Sequence, residues 1–88
     1  MNMREEKLFE LTFAFNERFG GVDSSSDGNE GRIYFRARKP DGLGRYPCVQ
    51  LLILLFRQDK WWIENTELPV PIWESVRSLG IDVLVKHA

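Results

Sequence analysis

Cysteine is nearly absent: Cys48 is the only one in 88 residues. No intrachain disulfide and no thiolate zinc site can form, and the chain reads as one suited to a reducing, cytoplasmic compartment. Histidine is as scarce, with His87 alone and next to last. A general base needs a fixed neighbour within hydrogen-bond reach, and a chain end seldom offers one. The longest unbroken apolar run is Leu51 to Phe56, far short of the roughly 20 residues a membrane helix needs. The start, Met1-Asn2-Met3-Arg4-Glu5-Glu6, places no apolar stretch behind a basic segment, so no signal peptide is expected. Glycine at seven and proline at four exclude collagen-like and low-complexity classes. An excess of one charge is lacking too, since the formal net charge is −1 and the pI about 5.8. That balance argues against a dedicated nucleic-acid binder, which is usually basic.

What is present fits one small domain spanning residues 1–88. Hydrophobic residues make up 43% and charged residues 28%, the proportions of an ordinary globular chain with one modest core. The near-neutral total hides a partition. Residues 1–31 hold three basic against seven acidic residues, residues 32–60 seven against two, and residues 61–88 two against four. A basic middle between acidic ends fits either an anionic partner or complementary faces within the fold.

The pattern predicts the order α-β-β-β-α-β: an α+β domain with helices on an antiparallel sheet of three to four strands. Arg4 to Phe19 lacks Gly and Pro, and Leu8, Leu11, Thr12, Phe15 and Phe19 fall on one helical arc. Phe9 and Phe13 lie beside that stripe, and Gly20-Gly21 ends it. Residues 22–31, rich in Ser, Asp and Gly, read as a flexible polar loop. Arg32 to Arg38 alternates: Ile33, Phe35 and Ala37 point one way, and Arg32, Tyr34, Arg36 and Arg38 the other. Tyr46 to Phe56 is apolar on both faces apart from Gln50, as expected of a strand covered on both sides. A polar turn, a strand at Trp61-Trp62-Ile63-Glu64, a helix over 71–79 and a last strand over 81–86 follow.

No constellation supports catalysis, a cofactor or a metal. Cys48 sits in the most apolar strand with no activating base in its pattern, as a small buried hydrophobe would. Asp23, Ser25, Asp27 and Gly28 imitate the start of a calcium loop. The twelfth place, which needs a bidentate Glu, is Tyr34. Gly42-Leu43-Gly44 lacks the third glycine and following helix of a phosphate loop. A non-enzymatic chain is expected.

The informative feature is the outer face of the meander. Arg32, Tyr34, Arg36 and Arg38 share it with one of Trp61 or Trp62, and with some of Gln50, Leu52, Leu54 and Phe56 between them. Tyr, Trp and Arg around an apolar centre is the composition of binding hot spots. A protein partner with an acidic surface is therefore expected, as for inhibitors, immunity proteins and accessory subunits, and a homodimer is a further option. The alternative is that the second helix or the last strand covers this face, with the arginines snorkelling at its edge. A different class, nucleic-acid binding, would use Arg32, Arg36 and Arg38 on phosphates. The element order is similar to that of double-stranded RNA-binding domains, which grip phosphates with a lysine-rich start to their last helix. The matching stretch here, Pro69-Val70-Pro71-Ile72-Trp73-Glu74, holds no lysine and one acid, so that chemistry is not carried over.

Overall fold

In the computed structural model, which describes residues 2–84, the chain forms α1 (Met3–Phe19), β1 (Val22–Asp27), β2 (Glu30–Arg36) and β3 (Cys48–Arg57). β4 (Lys60–Ile63), α2 (Val70–Ser78) and β5 (Asp82–Val83) follow. The α+β class and the two helices agree with the sequence pattern. The sheet is larger than expected: five strands in sequence order, mixed rather than purely antiparallel. The extra strand is β1, which replaces the expected loop over 22–31. Its Val-Asp-Ser-Ser-Ser-Asp sequence has little strand propensity, yet all six residues pair antiparallel with β2, from Val22↔Phe35 to Asp27↔Glu30. Backbone hydrogen bonding to an otherwise open edge prevails over local preference. Gly28 opens the two-residue turn with φ +61°, a place where glycine takes positive φ freely.

Local chemistry explains the helix ends. The Asn2 side chain caps α1 by accepting from the Glu5 N–H at 2.9 Å, with Glu5 and Glu6 in the positive first turn. At the other end Gly20 has φ +69° and donates to the Asn16 carbonyl. In α2, Pro71 stands in the first turn, where no N–H is needed.

Both helices lie on one side of the sheet. Leu8 and Phe15 from α1 and Ile72 and Val76 from α2 share one core with Ile33, Leu52, Leu54 and Ile63. Arg18 near the end of α1 donates to Ser78 of α2. Phe15, Phe19 and Phe35 form an aromatic cluster, with edge-on contacts at 5.4 and 5.5 Å. Because α2 returns across the covered side, β5 joins β4 in parallel, Trp62↔Asp82 and Ile63↔Val83. Of the last strand expected over 81–86, the described residues show Asp82–Val83 paired; residues 85–88, His87 among them, lie outside the described residues. The smallest dimension of the molecule is 20 Å, which accommodates one helix layer on one sheet layer and no third. Among the described residues no helix is long and apolar enough to cross a membrane.

Candidate functional site

Register decides which side chains stand on the uncovered side. Tyr34 pairs with Leu51, Arg32 with Ile53 and Glu30 with Leu55, while Leu55 pairs with Trp62. Paired residues point to the same face, so the outer apolar strip consists of Leu51, Ile53 and Leu55, while Val49 is the extra residue at the bulge and has no partner in β2. The expected set, Gln50, Leu52, Leu54 and Phe56, is turned to the helix side, where Leu52 and Leu54 are fully buried. A strand apolar on both faces gives no parity signal, and the long 37–47 connection leaves the β2–β3 register free of any turn constraint. An irregularity at Phe35/Arg36 shifts it further. The strip is not covered by α2: Ile53 keeps 39% of its surface exposed.

Of the expected site residues, Arg32, Tyr34, Arg36 and Trp62 come together on this face, and two do not. Trp61 is 3% exposed and lies in the core, tilted against Phe56 at 5.1 Å. Its pairing with Phe56 turns it inward, and its indole N–H donates to the Arg4 carbonyl of α1. Gly31 leaves the space it fills: a Cβ there would sit 2.8 Å from the Trp61 ring. Arg38 lies beyond the end of β2 and reaches round to the helix layer, donating to the Phe19 carbonyl at 2.6 Å. It satisfies a terminal carbonyl of α1 rather than joining the arginines of β2.

The cations Arg32, Arg36 and Lys60 on the outer face are already matched. Arg36 donates to Asp23 at 2.9 Å and stacks over the Tyr34 ring at 5.7 Å. The hydrogen bond and charge of Asp23 hold the Arg36 guanidinium above its ordinary pKa. Arg32 pairs with Glu30 at 3.5 Å. Lys60 pairs with Asp82 at 2.7 Å and lies over the Trp62 ring at 5.0 Å. The Trp62 indole N–H donates to the Arg57 carbonyl. The tyrosine hydroxyl of Tyr34 is hydrogen-bonded to Ser25 of β1, so the aromatic rim is held in place from both flanks.

β3 also outruns its neighbour, since β4 pairs only with residues 54–57. The Asn65 side chain replaces the missing strand, accepting from the Ile53 N–H and donating to the Leu51 carbonyl. Beside Val49 an apolar groove of about 350 Å³ opens, lined by Phe19, Phe35, Pro69, Pro71 and Ile72. Among the described residues no group of three or more His, Cys, Asp or Glu is placed to hold a metal ion. Cys48 is exposed rather than buried, its Sγ 3.2 Å from the Gln50 carbonyl.

Fold and face together define a two-layer α+β domain with one sheet face open. Compared with models of protein families, with curated proteins and with solved structures, the chain matches none.

Proposed function

We propose that the chain is a non-enzymatic protein-binding domain, of the inhibitor, immunity-protein or accessory-subunit kind, which docks through the outer face of its sheet. The supporting observation is the outer side of β3. Leu51, Ile53 and Leu55 form an apolar strip on the side away from the helices, half-buried at Leu51 and Leu55 and exposed at Ile53. Burial of such surface contributes roughly 25 cal/mol per Å², which is available only to a partner. Tyr34, Trp62, Arg32 and Arg36 around it are the residue types that carry binding energy at interface centres.

An acidic partner would have to draw Arg36 from Asp23 and Arg32 from Glu30. The apolar strip therefore supplies most of the affinity, and charge acts on orientation and association rate. The same ion pairs weigh more heavily against nucleic acid, whose binding depends on unmatched cations at phosphates. A cytoplasmic setting, in which the exposed Cys48 stays reduced, accompanies this reading.

The test is a photo-crosslinking amino acid placed at Ile53 and, as a control, at Glu17 on the exposed side of α1. Discrete protein adducts from position 53 that are absent from position 17 are the expected result. Equal or absent adducts at the two positions would contradict the proposal, and nucleic-acid adducts from position 53 would promote the alternative.

A further inference from the structure

The outer face interleaves its charges, and that pattern selects the occupant. We propose that the face is covered by a second copy of this chain, in a two-fold dimer whose axis runs along β3; this rests on the reading of that face as a protein-binding surface. A patch that docks on itself meets its own charges. A purely basic face would repel its copy, whereas Arg32 with Glu30, Arg36 with Asp23 and Lys60 with Asp82 present a mixed surface that tolerates one.

The register fixes which two-fold arrangement is complementary. Arg32 stands directly across from Ile53 on the β2 side. Glu64 follows Trp62 on the other side by strand alternation, and its N–H donates to the Ile53 carbonyl. Rotation about an axis along β3 lays β2 of one copy over β4 of the other. Arg32 then faces the partner's Glu64, twice per dimer, while Leu51, Ile53 and Leu55 meet their own copies on the axis. An axis across β3 would instead set Arg32 against the partner's Arg32, which like-charge repulsion opposes.

Stacked sheets pack about 10 Å apart, with their strand directions within about 30°. The dimer is therefore a β-sandwich with both helix layers outside. At about 4.8 Å between strands and 3.3 Å per residue, the sheet offers a flat footprint on the order of 500 Å² per copy. Side-chain relief raises the area removed from water, so two faces reach the roughly 1,000 Å² that a specific interface requires.

The experiment is sedimentation of the purified full chain between about 1 and 100 μM. The expected species has twice the 10.3 kDa chain mass. Arg32→Glu and Glu64→Arg should each raise the dissociation constant about ten-fold or more, and the two together should restore it to within about three-fold. Ile53→Lys should be monomeric and keep the wild-type circular dichroism. A dimer that persists in Ile53→Lys but dissociates in Phe9→Ser/Phe13→Ser would overturn the proposal and move the interface to α1. Failure of the paired charge reversal to restore association would overturn it as well. A monomeric wild type whose surface binds an apolar dye, with binding lost in Ile53→Lys, removes the second copy but leaves the protein-binding reading intact. A monomer that binds no dye ends both.

Discussion

On the helix side of the sheet, Ile33, Leu52, Leu54 and Ile63 have no exposed surface at all. Their sequence neighbours Tyr34, Leu51, Ile53 and Trp62, on the other side, stay partly exposed or exposed. The two faces are drawn from the same three strands and are nearly equal in apolar content along β3. They differ in what covers them. The inner face is closed by α1 and α2, and there each side chain is fixed by its neighbours. The outer face is organised by hydrogen bonds and ion pairs around an apolar strip. Apolar content in a strand is therefore no measure of burial within the chain.

The sharpest way to break that contrast is Phe15→Ala. Phe15 is fully buried and touches Phe35 and Phe19, so its truncation should cost about 3–5 kcal/mol in urea melts. A loss below about 1 kcal/mol would show that the inner face is less closely packed than its burial implies. Gly31→Ala comes next. The new Cβ would lie 2.8 Å from the Trp61 ring, and displacing a packed indole should destabilise by about 1–3 kcal/mol and alter tryptophan fluorescence. An unchanged emission spectrum would mean that Trp61 is held less tightly than its 3% exposure requires.

The β3–β4 turn gives a smaller effect of opposite sign. Gln58 and Asp59 both have positive φ, +53° and +63°, the pattern of a turn that favours Asn-Gly. Gln58→Asn with Asp59→Gly should relieve strain and raise stability by about 1 kcal/mol. A decrease would show that the side chains at this turn matter more than its backbone. The smallest change belongs to the outer face. Ile53→Thr, measured below micromolar concentration, should shift the unfolding free energy by no more than about 0.5 kcal/mol. A cost near that of Phe15→Ala would erase the distinction between the two faces.

Several of these features were legible in the residues alone. Leu8, Thr12 and Phe15 recur at helical spacing and are the buried residues of α1. Arg32 to Arg36 alternates with enough contrast that its inward set, Ile33 and Phe35, follows directly. The polar turn expected over 57–60 is in the structure a two-residue turn at Gln58-Asp59. It forces Arg57↔Lys60 and hence Leu55↔Trp62, which separates Trp62 from Trp61 by face. Gly31, an unfilled place in a strand, was the local trace of the Trp61 ring.

The sequence by itself thus determined the helices and the alternating strand, because each rests on contrast within a few residues. Tertiary structure alone decided three other things. It made Val22–Asp27 a strand, because the open edge of β2 offered hydrogen bonds that local propensity does not register. It sent Arg38 to the Phe19 carbonyl, because a chain end of α1 with an unpaired acceptor lay within reach of the residues after β2. It chose the outward side of β3, because a period of two is silent when both faces are apolar, and only the pairing with β2 and β4 breaks the tie.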